Sequence, residues 1–413
     1  MAGAVPSARS GVNVTLSLLF IVFAASVALR LGFGALLLNE FMNYTTIEGS
    51  TIEKIHPAFY GIALVAVAIG LTQRVVLSVR DLAILRAIIV FIVGIVGILA
   101  MMLLVNGQSS SSGYILDTYI VTCLASFVMM ALPEAWRVRL GELVLLFLTL
   151  SALVGIAEFV LRARLLPYPG GEEVFRPTGL SDHPLQLGMW CAVGICFAPI
   201  IRWPLRQFVT VAILLVGALA SGARVASIAA CFSSVIYLIF ARMPAPTSAD
   251  AFQRKVMLAI AGLCGLIAVI AVMAAVGALD RLLGGLVDQS SLARVGIYGV
   301  FDYLTWREFL LGSDIVRVQR IARDVLDIPY IESSFVVFTV QFGLIGAIVF
   351  ALLLGNLVRA WLIGRAMPTI IGTLIFFTLA LTNNLLSVKS ADVLILGLLI
   401  MSDCSRRQGA GRS

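Results

Sequence analysis

The chain reads as an all-α polytopic membrane protein of about 12 transmembrane helices, with a large external loop between the ninth and tenth. Three observations predict this. Hydrophobic residues fill 61% of the 413 positions and charged residues only 12%, too few to cover a water-exposed surface. Apolar runs near the bilayer-crossing length of about 20 residues recur along the sequence. Basic residues collect in every second connection, the pattern of repeated crossing. Together they override the two or three soluble domains that length alone suggests. A single integral domain over 1–413 is expected.

The expected spans are 14–38, 57–73, 82–105, 114–132, 140–161, 185–201, 207–221, 225–241, 256–278, 335–357, 368–386 and 390–403. The first run begins near Val14, is long enough to stay as a helix, and shows no small-residue cleavage site. Spans seven and eight share one apolar region, broken only by Ser221-Gly222-Ala223-Arg224. Orientation follows from the short loops. Arg9 precedes span one, Arg74 and Arg80 follow span two, and Arg137 and Arg139 follow span four. Arg202 and Arg206 follow span six, and Arg242, Arg254 and Lys255 follow span eight. Arg359 and Arg365 follow span ten, and Arg406, Arg407 and Arg412 end the chain. Basic loops stay inside, so both termini are expected in the cytoplasm of a bacterial inner-membrane protein. The uncharged loop NGQSSSSG at 106–113 then falls outside.

The formal charge of +7 does not point to nucleic acid, because the basic residues sit in short loops that set topology or meet anionic lipid. Five of six cysteines lie inside apolar runs, and no spacing resembles a zinc site or a disulfide framework. Two histidines, His56 and His183, stand far apart without a carboxylate cage, so no metal is expected.

Two external loops are unusual. One runs over 162–184; the other, 279–334, is the largest soluble segment. They carry Arg176, Arg281, Arg294, Arg317, Arg320 and Arg323, and the turn between spans seven and eight adds Arg224. Arginines kept on the face where they should be depleted suggest an anionic ligand. In the second loop, Val316, Ile321, Val325 and Leu326 form an apolar stripe beside three of these arginines, as in an amphipathic surface helix.

Arg224 is the foremost candidate. An arginine in an apolar context is costly unless it snorkels or meets a partner, and a guanidinium matches phosphate oxygens in a two-pronged geometry. Ser221 and Gly222 beside it add hydroxyl and backbone donors. Arg176 stands in FRPTGLSDHPLQLG, where a helix is expected to start at Ser181 or Asp182 and to offer N–H groups to an anion. Glu332 precedes an apolar helix at a dielectric boundary, where it serves either as a general base or as an ordinary cap. Arg30, Asp117, Glu158 and Lys389 fall inside spans and either pair or line a cavity.

Four local patterns resemble those of the O-antigen ligases and Wzy-type polysaccharide polymerases. They are Arg176-Pro177-Thr178-Gly179 followed by His183-Pro184; Ser221-Gly222-Ala223-Arg224; Arg294, Tyr298, Trp306 and Gly312; and Glu332, Ser333, Gly343 and Gly346. The resemblance covers roughly 140–360, and glutamate stands at 332 where the ligases usually carry histidine. It implies a GT-C-like membrane glycosyltransferase without a metal or other cofactor. The donor and acceptor would be glycans on undecaprenyl pyrophosphate, joined on the periplasmic side into exopolysaccharide or O-antigen. Arg176 and Arg224 would stabilise the departing pyrophosphate, and Glu332 would take the acceptor proton. Arg294, Arg320, Arg323, His183, Ser221, Ser333 and Tyr330 would bind substrate. Membrane lipids and a chain-length or export protein would be partners. Ligation to lipid A core, transport of lipid-linked sugars, and a non-catalytic assembly role stay open as alternatives.

Overall fold

The computed structural model describes residues 14–46, 50–106, 112–168, 175–240, 296–328 and 330–404, with scattered positions between 250 and 271. Among these residues the regular structure is helical. The order is α1 (Val14–Gly32), α2 (Ala35–Asn39), α3 (Pro57–Thr72), α4 (Val79–Asn106), a π-helical turn (Ile115–Ile120) continuing into α5 (Val121–Ala131), α6 (Glu134–Leu161), α7 (Pro184–Phe197), α8 (Pro204–Ala220) and α9 (Arg224–Phe240). After the segment around 250–295 come α10 (Trp306–Leu311), α11 (Ile315–Asp324), α12 (Ser334–Leu362), α13 (Met367–Leu381) and α14 (Asp392–Ser402).

Local chemistry sets these boundaries. Proline occupies the first turn of α3, α7, α8 and α13, where its missing N–H has no helical partner to lose. His56 caps α3 and His183 caps α7, each accepting a backbone N–H through Nδ1 at 3.1 Å. Thr305 and Glu308 form a reciprocal capping box on α10.

Two short helices form the centre. Every residue of α14 is buried, and so is α7 apart from Leu185. A helix that is apolar all round belongs inside a bundle, and α6, α8, α9 and α13 pack around α7. One large apolar cluster joins all helices from α1 to α9 except α2 with α12, α13 and α14. A second, smaller cluster holds Ile297, Val300, Ile315, Val318 and Ala322 against Val336, Val337 and Val340 at the start of α12.

The twelve-span architecture is not what the structure shows. Among the described residues four helices are long and apolar enough to cross a membrane: α1, Val79–Leu104 of α4, α6 and α12. Seven other apolar helices have only 10–17 residues. At about 1.5 Å per residue the 14 residues of α7 rise about 21 Å, against a hydrocarbon thickness of about 30 Å. A run of 10–14 apolar residues is more often a core helix than a span, and α14 and α7 (Leu185 apart) are buried accordingly. The expected span 14–38 is two helices broken at Phe33–Gly34. Most of the expected span 256–278 and the first part of the 279–334 loop lie outside the described residues. The multi-pass inner-membrane placement, with cytoplasmic termini and a periplasmic site, rested on counting twelve crossings, and it falls with that count.

The amphipathic helix exists as α11, but in a different register. Its buried stripe is Ile315, Val318 and Ala322, while Val316 and Val325 are exposed. Spacings of three and four put the former on one face. Arg320 and Arg323 are exposed, and Arg317 pairs with Glu308 on α10 at 2.5 Å.

Candidate functional site

The loop over 162–184 is organised by one carboxylate. Glu158, in the last turn of α6 and 3% exposed, accepts the backbone N–H groups of Leu165, Thr178 and Gly179, each at 2.8 Å. It thereby ties both ends of the loop to one point. Ser151 one face along α6 accepts the N–H of Leu180 at 3.0 Å. Arg164 then bridges the loop internally: its Nε and Nη2 donate to the Arg176 carbonyl at 3.1 and 2.9 Å. Its guanidinium lies 4.2 Å above the Tyr168 ring centre and 5.1 Å from that of Phe175.

This scaffold delivers Arg176 to the turn between α8 and α9. Its Nε donates to the Ser221 carbonyl at 3.3 Å. The turn closes through Gly222 at φ +64°, and the Arg176 side chain passes over that glycine. Arg224 follows as the first residue of α9. Two half-buried guanidinium-bearing residues therefore share one turn at the positive end of a 17-residue helix. First-turn N–H groups point along the axis toward the same place.

The remaining sequence candidates divide. The Ser221 hydroxyl donates to the Ala218 carbonyl at 2.7 Å and accepts from Ala223 N, so it shapes the turn. The helix start expected at Ser181 or Asp182 is at His183 instead; Ser181 donates to Thr178 and His183 carbonyls, and the first N–H of α7 is taken by the His183 ring. Ser333 caps α12. Glu332 lies at the foot of α12, which is tied to the α13–α14 connector through Ser334 and the Asn383 carbonyl. Tyr330 is 76% exposed. Arg320 and Arg323 are exposed on α11, and Arg323 contacts Asp324 at 3.1 Å. Arg294 and Arg281 lie outside the described residues.

A second polar assembly lies in the interior, and sequence reading caught only its parts. Asp117, on the π turn, accepts Tyr44 Oη at 2.8 Å and the His56 N–H at 3.0 Å. Asp182 reaches across to α2 and accepts Ala35 N at 2.7 Å and Leu36 N at 3.1 Å. Burial pushes the Asp182 carboxyl up, against the pull of these bonds and of Arg30. Asp392, which nothing in the sequence singled out, accepts Gln186 Nε2 at 2.9 Å and Trp190 Nε1 at 2.6 Å. Arg30 interacts electrostatically with all three carboxylates. Lys389 bonds the carbonyls of Tyr44 and Lys54 at 2.7 Å and covers the Tyr44 ring.

A separate cleft of about 360 Å³ lies between α12 and α13, lined by Phe335, Phe350, Leu354, Phe377 and Leu386 among other apolar residues. It lacks the convergent polar groups that orient a ligand, so the arginine turn is the better candidate. Among the described residues no group of three or more His, Cys, Asp and Glu is arranged to hold a metal ion.

Replacing Glu158 by Gln is expected to loosen the loop. One amide oxygen cannot serve three donors on two carboxylate oxygens, and the new NH2 faces an N–H. The expected cost is about 2–4 kcal/mol, with faster hydrogen exchange at 175–184. Unchanged exchange there would remove Glu158 from this role.

No family model, no curated protein and no solved structure matches the chain. The resemblance to ligases and polymerases thus gains no support from known proteins. The polymerase reading, with its ligase and flippase alternatives, needs the twelve-span GT-C-like frame, and four span-length helices overturn it.

Proposed function

We propose that this protein binds a phosphate-bearing ligand at the turn between α8 and α9, with Arg176 and Arg224 as the paired cations. The observation that carries the reading is the Arg176 side chain crossing 45 residues of sequence to lie on the very turn that opens α9 with Arg224. Guanidinium groups suit phosphate oxygens, and a helix N-terminus adds N–H donors to the same charge. The buried Glu158 and the stacked Arg164 support this by fixing the loop before any ligand arrives.

In its enzymatic form the reading is sugar transfer from a pyrophosphate-linked donor. The arginines would stabilise charge on the departing pyrophosphate, and Glu332 would receive the acceptor proton. Polymerisation, ligation to lipid A core and transport form no part of it.

The test is binding of inorganic pyrophosphate to the purified chain at low ionic strength, by calorimetry. Arg176→Ala and Arg224→Ala are each expected to weaken binding about tenfold or more, and Arg176→Lys less so. Binding that survives both alanine variants would overturn the assignment. With a pyrophosphate-linked sugar as substrate, turnover retained by Glu332→Gln would remove the base.

A further inference from the structure

The interior assembly around Arg30 leaves buried polar atoms without hydrogen-bond partners. Arg30 is 2% exposed, and its Nε and Nη2 have no hydrogen-bond partner. Asp392 is fully buried; its Oδ1 receives two donors while Oδ2 has none. The groups facing this centre come from every element around it. They are Arg30 on α1, Tyr44 and His56 between α2 and α3, and Asp117 and Tyr119 on the π turn. Asp182 before α7 and Lys389 before α14 belong to the same set, and the half-buried Lys54 adds its charge beside Lys389. Glu158 on α6 is occupied by the loop N–H groups. His56 is neutral by construction, because Nδ1 accepts from Ala58 N and Nε2 therefore carries the proton it gives to the Phe33 carbonyl. Asp117 and Asp182 each receive donors on both carboxylate oxygens, and Asp392 on Oδ1 alone. A fully buried carboxylate with one bare oxygen is costly in its charged form.

We propose that this centre binds one proton at neutral pH, held on Asp392, and that the proton is linked to the loop carrying Arg176. The step is a simple association: the Asp392 carboxylate takes a proton from solvent and becomes a carboxylic acid, and the centre loses one negative charge. Asp392 holds it because its Oδ2 is the carboxylate oxygen left without a donor. The link to the loop is a continuous set of bonds. Gln186 donates to Asp392 through Nε2 and accepts the Asp182 N–H through Oε1 at 3.0 Å. Asp182 and Arg176 bound one seven-residue stretch of loop, which Glu158 pins at Thr178 and Gly179. Losing the proton adds a charge beside Gln186 and shifts the balance of bonds on Asp182.

This second half rests on the phosphate reading; the first does not. Infrared spectra of the wild-type chain at neutral pH are expected to show a buried protonated-carboxyl band that moves in heavy water. The band should vanish in Asp392→Asn and persist in Asp117→Asn and Asp182→Asn. No such band, or its loss in either of the latter variants instead, overturns the proposal, and those two variants decide the matter even if Asp392→Asn fails to fold. For the linkage, sulfate is the probe, since its own charge is constant across the range. Its affinity is expected to change about threefold or more with pH in the wild type and to stay flatter in Asp392→Asn. Equal pH profiles in both chains would sever the link, and sulfate that never binds would remove the phosphate reading while leaving the infrared result standing.

Discussion

Gly343→Ala is expected to destabilise the protein by about 3–5 kcal/mol, the largest effect of any single methyl group here. Gly343 interrupts α12 at φ 72°, ψ 164°, a conformation that is essentially reserved for glycine. A Cβ there would also overlap the Leu310 carbonyl and come within 2.6 Å of Gly312 N. Gly312, at φ 97°, meets the same obstacle from the other side, its Cβ falling 2.5 Å from the Gln341 carbonyl oxygen. Ser313 N donates to the Val340 carbonyl at 2.7 Å, so the broken helix uses its freed acceptor to hold the 310–313 segment. Backbone lies against backbone, and neither side can yield by rotating a side chain. Gly312→Ala should cost a similar amount, and the double variant less than the sum, because both relieve one contact. Gly355→Ala on the same helix is the control. Nothing lies within 4 Å of its Cβ, so about 0.5–1 kcal/mol of stabilisation is expected from helix propensity. Melting temperatures of the four variants and the wild type under one solution condition check this, and equal loss at 343 and 355 would sink the argument.

The helices were legible because their ends are written in local chemistry. Pro57, Pro184, Pro204 and Pro368 open helices where apolar runs begin, and Gly222 divides α8 from α9. The Arg224 turn was legible for the same reason, since Ser-Gly-Ala-Arg is the one interruption in a long apolar stretch. What such a run does was not legible. α7 and α14 have the composition of spans and the length of core helices, and only their complete burial tells which they are. Arg176 was found by its motif, yet its approach to Ser221 depends on Glu158 gathering N–H groups up to 21 residues away. The interior charge centre draws on positions 30, 117, 182 and 392, each of which looks in sequence like an isolated charge at the edge of an apolar run. The α11 register was missed because Ile315 and Val316 are equally apolar, and the partner surface of α12 selects between them.

Acid should unfold this protein earlier than its carboxylates alone would dictate, and His56 is the reason. Burial, with the Arg30 charge second, lowers its imidazole to about 3 from the ordinary 6.5; the Phe33 carbonyl opposes only in part. The sign follows directly. In the unfolded chain the ring takes a proton near pH 6.5, while in the folded chain it stays neutral until about 3. The unfolded state therefore binds more protons across that window, and stability falls as pH drops through it. The full loss from this one group is roughly 4–5 kcal/mol, a large part of the margin by which a typical domain is folded. Asp182 acts in the opposite sense. Its carboxyl is raised, so protonation favours the folded form as pH falls toward the ordinary carboxylate range. Replacing His56 by Asn separates the two. Asn can still cap Ala58 N, but it does not titrate and cannot reach the Phe33 carbonyl in the same way. The variant should be less stable than the wild type at pH 7 and lose stability more slowly between pH 6.5 and 3, so that the two unfolding curves converge. Parallel curves would mean that the ring takes up its proton near the ordinary 6.5 in the folded protein as well, and that burial does not hold it neutral.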